Sequence, residues 1–515
     1  MGERAIEMNH IQQRKTLMTK QLRLLGLFIF LMALGIPAKV QAAEAPNILW
    51  IIVDDMSANF SCYGEKLIET PNVDALAKQG VQFNKAFVTA PVCSTCRSAF
   101  ITGMYQTSIG AHHHRSGRGK QKIRLPESVE LVPTLFQKAG YHTSIQSWPG
   151  SRKGRLGKTD YNFEWDASAY DSGTWDDRKP GQPFFAQIQT LGGKMRGSTP
   201  EAAEKLIAQA KNTFGNIVDR SQIKLAPYYP QNDVLLQDWA AYLGSVRLTD
   251  KMVGDVIAKL KRDGDFEKTV IIFMTDHGIS HARGKQFLYE EGIHVPLVIA
   301  GPGVEHAVRD DLVEHIDIAA TSLGLAGIAI PDSMQAKDIL APNYQARDAV
   351  FSARDRCDET VEHLRSVRTK RFKYIRNYLN LRSHMQPNAY KDAKAIVKSL
   401  RKLHQEGKLN ELQSRIFAPT RPPEELYDLE ADPHETINLA SNPAFAKDLE
   451  AMRTRLKKWE TDTGDMGVNP EPAEMFDSDM QLYVENLKKR NKSPDHIETM
   501  ENNIRLMREW AKQGK

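Results

Sequence analysis

The chain has 515 residues, of which 41% are hydrophobic and 26% are charged. This composition excludes a wholly disordered, collagen-like or coiled-coil protein, and the length allows a large buried core. The chain contains four cysteines, which are too few for a disulfide scaffold: Cys62, Cys93, Cys96 and Cys357.

The formal net charge of +5 is concentrated at the start of the chain. Residues 1–42 contain six basic and two acidic residues, so the rest is nearly neutral and we predict no nucleic-acid partner. The same segment has a basic beginning, an apolar run of 13 residues over 24–36 and small residues before position 43, as a secretory signal does. That run is too short to span a bilayer, and no later stretch approaches about 18 apolar residues. We therefore predict a secreted or periplasmic protein without stable membrane insertion after the signal is removed.

After this segment the chain alternates between strand-like and helix-like patterns. Two continuous apolar runs rich in β-branched residues, 47–53 and 269–274, predict strands that are buried on both faces. Between them, apolar residues recur every three or four positions over 234–261, which predicts a long helix. A strand over 296–301 and a helix over 316–325 continue the pattern. This order predicts an α/β fold with a mostly parallel central sheet.

The alternation of strand-like and helix-like patterns ends near residue 345, and a more basic sequence follows. We therefore predict a catalytic domain over 43–345. Residues 354–421 contain seventeen Lys or Arg and seven Asp or Glu, and 366–374 alternates as an antiparallel strand does. We predict a smaller α+β domain with an antiparallel sheet over 346–465 and a helical C-terminal tail over 466–515. The basic excess fits either the solvated surface of ordinary elements or a face that meets a polyanion.

Acidic residues follow both of the predicted central strands. Asp54 and Asp55 end the first run, and Asp276 ends the second. Adjacent buried carboxylates repel each other unless a cation neutralises them, and ligands of open α/β sheets bind at the carboxyl ends of strands. One such motif fits a helix cap or a turn, whereas two together predict a divalent metal. Carboxylates favour Ca²⁺ or Mg²⁺, but His277 would suit zinc or manganese, so the residues alone leave the metal open.

A pair of cysteines lies where a helix is predicted to begin. In residues 90–103, APVCSTCRSAFITG, Cys93, Cys96 and Arg97 follow a strand-like segment over 81–88. A cysteine at a helix N-terminus beside an arginine is expected to form a thiolate readily and to be reactive. The C-x-x-C spacing is also typical of half a zinc site or a thioredoxin-like redox pair, but the sequence lacks the further ligands and the small βαβ context that these require.

This motif resembles the signature of a known enzyme family. Cys-Ser-Thr-Cys-Arg followed by Thr-Gly is similar to the C-x-P/A-S-R signature of the formylglycine-dependent type I sulfatases, members of the alkaline phosphatase superfamily. The resemblance extends through PNILWIIVDDM, ETPNVDALAKQGVQFNKAF, GKTDYNF, FMTDHG, GKQFLYEEGIHVPLVIAGPG and ELYDLEADPHETINLA. Taken together, these motifs resemble those of bacterial enzymes related to heparan N-sulfatase and iduronate sulfatase. The resemblance implies an alkaline-phosphatase-like α/β/α sandwich with a small C-terminal antiparallel sheet, and a hydrolase that removes sulfate from a sulfated carbohydrate.

The resemblance also implies a modified nucleophile and a metal. Cys93 would be oxidised to formylglycine (3-oxoalanine) by a maturation enzyme. The hydrated aldehyde carries two hydroxyls, so one can attack sulfur and the other can later expel the sulfate. One Ca²⁺ per chain would be held by residue 93 together with Asp54, Asp55, Asp276 and His277.

Further roles follow from matched motifs. Arg97 would hold residue 93 in place, while Lys158 in GKTD and Lys285 in GKQ would bind sulfate oxygens. The proton for the leaving sugar oxygen would come from one of five candidates: His281, Lys194, His112, His113 or His114. The three consecutive histidines also fit a solvated polar loop. Arg115 and Arg118, which follow them, would bind a uronate carboxylate or a second sulfate.

Three features depart from the family pattern. Thr95 and Cys96 replace the usual Pro or Ala and Ser. Asp160, a predicted substrate contact, stands where many sulfatases have a catalytic histidine, and the sequence after the strand at 183–189 lacks a Pro-His pair. The alternatives are a phosphodiesterase or phosphonate monoester hydrolase of the same fold, and a polysaccharide-binding pseudoenzyme with an unmodified Cys93.

Overall fold

The computed structural model describes residues 45–150 and 155–515, and the predicted signal segment at 1–42 lies outside the described residues. The residues from Pro46 to Lys515 form one unit, in whose described part there are two β-sheets. The larger sheet contains β1 (Asn47–Val53), β2 (Val81–Phe87), β3 (His142–Ser147), β4 (Phe184–Thr190), β5 (Thr269–Thr275), β6 (His294–Ala300), β7 (Ala307–Arg309) and β8 (Val313–Glu314). The smaller contains β9 (Val350–Arg354), β10 (Leu364–Arg368), β11 (Phe372–Asn377) and β12 (Glu424–Asp428).

Helices accompany both sheets. They are α1 (Pro71–Gln79), α2 (Cys93–Thr102), α3 (Val132–Lys138), α4 (Pro200–Phe214), α5 (Asp233–Asp263), α6 (Glu290–Ile293), α7 (Asp317–Leu325), α8 (Ala389–Asp392), α9 (Ala395–Gln405), α10 (Glu411–Ser414), α11 (Ala446–Asp462), α12 (Ala473–Lys489) and α13 (Pro494–Lys512). In the part of the chain that the structure describes, none of the helices has the length and apolarity needed to cross a membrane.

Strand β1 lies at the centre of the larger sheet, whose order is β3-β4-β1-β5-β6-β2-β7 with β8 beside β2. All seven residues of β1 are buried, and β1 runs parallel to both β4 and β5. Val53 is in register with Thr190 on one side and Thr275 on the other. The segments that follow these three strands therefore begin side by side, at one edge of the sheet. This agrees with the prediction made from the acidic residues that follow β1 and β5.

Strand β6 departs from the parallel arrangement. The predicted strand over 296–301 exists, but it runs antiparallel to both β5 and β2. Parallel neighbours are usually joined by a connection that contains a long helix, whereas the only helix between β5 and β6 in this described stretch is the four-residue α6. The chain therefore turns back beside β5, and the sheet is mixed but mostly parallel.

Helices cover the sheet through aromatic and apolar contacts. Trp50 in β1 meets Phe100 of α2 edge to face at 5.8 Å and donates a hydrogen bond to the Ser322 hydroxyl of α7 at 2.8 Å. The long α5, predicted over 234–261, packs against α1 and α4. It begins where the Asn232 side chain accepts a hydrogen bond from the Val234 amide and ends before Gly264, whose φ is +74°.

The smaller sheet is antiparallel, with the order β12-β11-β10-β9, as predicted. The prediction of a single strand over 366–374 was wrong, because this segment contains parts of both β10 and β11. Residues 369–371 reverse the chain, and the Thr369 amide donates to the Phe372 carbonyl at 2.8 Å. A hairpin of alternating residues with a short polar turn has nearly the same sequence pattern as one longer strand.

Much of the basic excess in residues 354–421 is buried in ion pairs. Arg365 bridges Asp355 and Asp465 at 3.1 and 2.5 Å, and its side chain is fully buried. Lys373, also fully buried, lies 2.8 Å from Glu290 and 2.9 Å from Glu435. Several partner carboxylates come from outside the segment, so a count of charges within it overstates the exposed positive charge. Arg365 and Lys373 therefore fit neither prediction for the basic excess, which was a solvated surface or a face that meets a polyanion.

Candidate active site

The segments that follow β1 and β5 are tied together. The Asp55 amide donates to Oδ1 of Asp276 at 3.1 Å, and the Met56 amide donates to the His277 carbonyl at 3.1 Å. Asp55 adopts φ +54°, an unusual backbone conformation that turns its side chain toward the same point. Asp54, Asp55, Asp276 and His277 are all buried. The strand ends thus place three carboxylates and one imidazole in a single cluster.

Helix α2 begins at Cys93, and all ten of its residues are buried. The helix dipole therefore places its positive end at this cysteine. The Cys93 Sγ atom lies 3.2 Å from Nε2 of His277 and 3.9 Å from Oδ1 of Asp55. Nδ1 of His277 lies 2.9 Å from the Gly278 carbonyl, an acceptor, so Nδ1 carries a hydrogen, while Nε2 faces the cysteine and the Asp55 carboxylate.

Three lysines surround the cysteine. The ammonium groups of Lys285 and Lys194 lie 3.2 and 3.4 Å from Cys93 Sγ. Lys285 also contacts Oδ1 of Asp55 at 3.0 Å, and Lys194 contacts Oδ2 of Asp54 at 2.7 Å. Burial alone would raise the pKa of the Cys93 thiol, but Lys158, Lys194, Lys285 and His277 hold this pKa well below its ordinary value. The surroundings of Cys93 therefore stabilise an anion.

Two further cationic side chains, besides Lys194, contact Asp54. Lys158 lies 3.0 Å from Oδ2 of Asp54, and the Arg97 guanidinium pairs with Asp54 and, at 3.1 Å, with Asp276. Arg97 also donates to the side-chain oxygen of Gln189, at the end of β4. Arg97 is one helical turn after Cys93, and its described hydrogen bonds and ion pairs are with these three side chains. It therefore fixes the position of the carboxylates around residue 93.

Lys194 reaches the cluster because two glycines precede it. Gly192 and Gly193 begin a short 3₁₀ turn that lies against Asp54 and Asp55, and the Gly193 amide donates to the Asp54 carbonyl at 2.9 Å. A Cβ atom at Gly193 would lie 2.1 Å from the Asp55 carbonyl oxygen. No larger residue fits this approach unless the backbone shifts. The segment that lacks the Pro-His pair thus delivers a lysine instead.

The donor atoms of the cluster fit a divalent cation. Oδ1 of Asp55, Sγ of Cys93 and Nε2 of His277 all lie within 4.8 Å of one another. Histidines that bind metals usually donate a hydrogen bond from the other ring N–H to a carbonyl or carboxylate, as His277 does to the Gly278 carbonyl. Carboxylates suit Ca²⁺ and Mg²⁺, while the imidazole suits Mn²⁺ or Zn²⁺, so the donor set does not select one metal.

His281, a predicted proton donor, is placed elsewhere. Its ring packs edge to face against Tyr229 and Trp239, with centroids 4.5 and 5.6 Å away. Its ring nitrogens lie 3.6 Å from Asp238 and 3.8 Å from Glu291. Burial lowers the pKa of His281 to about 3. The turn after Gly278 directs this side chain toward α5 and not toward Cys93.

The three consecutive histidines do not form a solvated loop. His112 and His114 are buried, and the rings of His112 and His113 lie 4.2 Å apart. Nδ1 of His113 accepts from the Arg356 amide at 3.2 Å. His114 comes nearest to the cluster, because its Nδ1 lies 2.6 Å from the hydroxyl of Ser94, the residue after Cys93.

The remaining predicted substrate contacts lie together. Arg118 and Asp160 form an ion pair at 2.6 Å, and Arg115 lies 3.3 Å from Asp358. Lys158 is 3.9 Å from Asp160, so this group adjoins the cluster around Cys93.

Sequence reasoning missed two side chains at the cluster. Tyr390 of α8 places its hydroxyl 3.4 Å from Oδ2 of Asp55, and the Lys285 ammonium lies 5.1 Å from its ring centre. No local motif marks Tyr390. Gln189 does have a sequence signal, since it is a polar residue at the carboxyl end of an apolar strand.

Comparisons with known proteins identify the family of this chain. The family model described as Sulfatase matches residues 46–328, and the one described as N-sulphoglucosamine sulphohydrolase, C-terminal, matches residues 277–420. An ulvan-active sulfatase from Formosa agariphila is 31% identical over 472 residues, covering 84% of this chain and 78% of the relative. Human N-sulphoglucosamine sulphohydrolase is 27% identical over 485 residues, covering 82% and 91%. The chain therefore belongs to the sulfatase family, as its motifs predicted.

Solved structures share the fold. A protein solved in complex with its substrate D-glucosamine-2-N,6-O-disulfate has a TM-score of 0.57 at 19% identity, covering 82% of this chain and 98% of that one. A phosphonate monoester hydrolase from Silicibacter pomeroyi has a TM-score of 0.55 at 18% identity, covering 82% and 96%. The predicted fold class is confirmed.

Proposed function

We propose that this protein hydrolyses sulfate esters of a carbohydrate, with residue 93 in its formylglycine form as the nucleophile. The observation that carries the proposal is the set of contacts around Cys93. Its Sγ atom lies within 3.4 Å of two ammonium groups and an imidazole nitrogen, at the N-terminus of a buried helix. The names of the curated relatives, which mention ulvan and N-sulphoglucosamine, support a carbohydrate substrate.

The charge of the cluster suits an anionic substrate. Within the described residues, Lys158, Lys194, Lys285 and Arg97 contact the carboxylates of Asp54, Asp55 and Asp276. Four cations thus face three carboxylates before any metal is bound. A divalent cation held by Asp55, His277 and residue 93, which we propose to be Ca²⁺, would increase this surplus. A sulfate ester, which carries one negative charge, would offset part of it.

The residues of the chain divide the work as follows. One hydroxyl of hydrated residue 93 gives up its proton and attacks sulfur, the bond from sulfur to the sugar oxygen breaks, and the sugar oxygen takes a proton. Loss of the proton from the second hydroxyl then expels sulfate and regenerates the aldehyde. Lys158 and Lys285 stabilise charge on the sulfuryl oxygens, and a bound cation would supply further stabilisation of that charge.

Lys194 is the candidate that we assign as the donor of the proton to the sugar oxygen. Its ammonium group lies 3.4 Å from Cys93 Sγ, whereas the ring of His281 faces Asp238 and Glu291. A general acid has to lie within hydrogen-bond reach of the group that receives the proton.

We also propose that the chain is exported through residues 1–42 and matured by a formylglycine-generating enzyme. The acting protein would then lie in the periplasm or outside the cell, where sulfated polysaccharides are accessible. The basic beginning and the apolar run of the segment support this proposal.

The proposed function is tested by substrate comparison on chain coexpressed with a maturation enzyme. Release of sulfate from 4-nitrophenyl sulfate is measured beside hydrolysis of 4-nitrophenyl phenylphosphonate and bis(4-nitrophenyl) phosphate. We expect the sulfate ester to have the highest kcat/KM. A higher kcat/KM for either phosphorus ester would favour the phosphonate hydrolase alternative, and absence of all three activities with an unmodified Cys93 would favour the pseudoenzyme.

Replacement of Gly193 with alanine is expected to lower kcat/KM for 4-nitrophenyl sulfate about 10-fold or more, since loss of one stabilising contact costs roughly that factor or above. The added Cβ would lie 2.1 Å from the Asp55 carbonyl oxygen, so the turn that carries Lys194 has to move away. The matched control is Gly181→Ala, where the glycine has φ +76° and a Cβ would meet nothing within 4 Å. The control should lose some thermal stability but keep its kcat/KM; equal activities of the two variants would contradict the role of the glycine turn.

A further inference from the structure

A cavity of about 260 Å³ adjoins the cluster around Cys93. Lys158, which contacts Asp54 in the cluster, also lines this cavity. Arg115, Arg118 and Asp160 line it from the catalytic side, and α12 contributes Tyr483 and, just after its last turn, Arg490. The cavity therefore shares Lys158 with the cluster around Cys93, and its lining joins residues 115–160 to the C-terminal segment around α12.

Two arginines in the cavity are held in place but not covered. Nη1 of Arg115 lies 3.3 Å from Asp358 and donates to the Tyr483 hydroxyl at 2.9 Å, while Nη2 of Arg118 pairs with Asp160 at 2.6 Å. Their side chains are 38% and 34% exposed. Within the described residues, the other nitrogens of both guanidinium groups make no hydrogen bond. Each guanidinium group can therefore donate further hydrogen bonds to an oxyanion from a position that its partners already fix.

The charges around the cavity also leave positive potential available. Arg490 is exposed and, within the described residues, has no ion pair. Asp479 lines the cavity, but its carboxylate already accepts from the backbone amides of residues 117–119 and lies 3.1 Å from Arg356. The negative charge of Asp479 is thus neutralised within the protein, whereas the positive charge of Arg490 faces solvent.

Unusual backbone conformations concentrate at this cavity. Arg115, Asp160 and Asp358 are non-glycine residues with φ of +60°, +57° and +52°. Conformations of this kind are unfavourable and are retained mainly where binding or catalysis uses them. Here they hold the two arginines and their carboxylate partners at the rim of one cavity.

We propose that this cavity binds a second oxyanion, a carboxylate or sulfate group, of the carbohydrate whose sulfate ester reaches residue 93. The inference rests on the proposed function and narrows its substrate class to sulfate esters with another anionic group nearby. Tyr483 and Arg490 lie beyond both matched family regions, 46–328 and 277–420. Their part in the subsite therefore comes from the C-terminal segment of this chain.

The test compares kcat/KM for four substrates of the matured enzyme. They are 4-nitrophenyl sulfate, a monosulfated neutral disaccharide, a monosulfated disaccharide with a uronate, and a disulfated disaccharide without a uronate. We expect at least one anionic disaccharide to exceed the neutral one by about 10-fold or more, the effect of roughly one charge-assisted hydrogen bond. Preference for the uronate alone identifies a carboxylate subsite, and preference for the disulfated compound alone identifies a sulfate subsite.

Variants of α12 and its end make the test specific. Arg490→Gln should lower the ratio of kcat/KM between the preferred anionic disaccharide and the neutral one about 10-fold, mainly through KM. Tyr483→Phe should lower the same ratio, because Arg115 loses an anchor while the aromatic ring is kept. Lys492→Gln is the matched control, an exposed charge near Arg490 that does not line the cavity, and its ratio should equal that of the parent.

Each outcome separates the subsite from the function. If the parent cleaves 4-nitrophenyl sulfate but shows no preference for anionic disaccharides, or if Arg490→Gln leaves the ratio unchanged, the subsite is wrong and the proposed function stands. If the matured parent cleaves no sulfate ester, the proposed function fails and the subsite, which rests on it, fails too.

Discussion

Replacement of Cys93 with serine is expected to lower turnover of sulfate esters about 10⁴-fold or more, as loss of a catalytic nucleophile does. Serine has one hydroxyl, so it can attack sulfur but has no second hydroxyl to expel the sulfate afterwards. The variant should therefore accumulate a sulfated serine, detected by peptide mass spectrometry as a gain of about 80 Da at residue 93.

The same mass measurement on the parent tests the modification. A mass about 18 Da below that of the cysteine peptide indicates formylglycine. Cys62→Ser is the control, because Cys62 is half-buried in a separate place beside Asp74, and it should keep both the modification and the turnover. An active parent with an unmodified thiol, or with a disulfide between Cys93 and Cys96, would contradict the proposed mechanism.

Removal of divalent cations is expected to lower turnover about 10³-fold or more, because several kcal/mol of charge stabilisation would be lost. A cation that binds the folded state alone also stabilises it, by about 2.7 kcal/mol at 100 times its Kd. Chelation should therefore lower the thermal unfolding temperature as well, and Ca²⁺ should restore both properties. Parallel additions of Mg²⁺, Mn²⁺ and Zn²⁺ would show how far the imidazole of His277 changes this preference.

Asp55→Asn provides the variant for this test. Its unfolding temperature should no longer rise when Ca²⁺ is added, because Oδ1 of Asp55 faces both Cys93 and His277. Asp332→Asn, at an exposed position, should respond to Ca²⁺ as the parent does. Full activity after exhaustive chelation, or the same Ca²⁺ response in Asp55→Asn, would show that the cluster does not use a metal.

Sequence patterns were sufficient for the parts of the site that depend on local order. Asp54, Asp55 and Asp276 could be placed at one edge because each follows an apolar strand, and parallel strands end together. The helix that begins at Cys93 was predicted at the position that follows the strand-like segment over 81–88. The resemblance to sulfatase motifs located Lys158 and Lys285, which the structure brings to the same cluster.

Other features depend on contacts that join distant segments, which no local pattern encodes. Tyr390 approaches Asp55 across more than three hundred residues of sequence, and Tyr483 approaches Arg115 across a similar separation. His281 follows the metal motif closely, but the direction of a side chain after a turn depends on tertiary packing. Arg365 and Lys373 of the smaller sheet pair with carboxylates that lie outside residues 354–421, the segment in which the charges were counted.

The burial of α2 has a consequence for the timing of maturation. Cys93 is 4% exposed, and every residue of its helix is buried against the rest of the fold. Once the chain has folded, another protein cannot bind the segment around this residue as an extended peptide. If an enzyme modifies residue 93, as we propose, it has to act on the nascent or unfolded chain, so modification competes kinetically with folding. A molecule that folds first would be a stable but inert product, and its fraction would rise with the folding rate and fall with the amount of maturation enzyme in the cell.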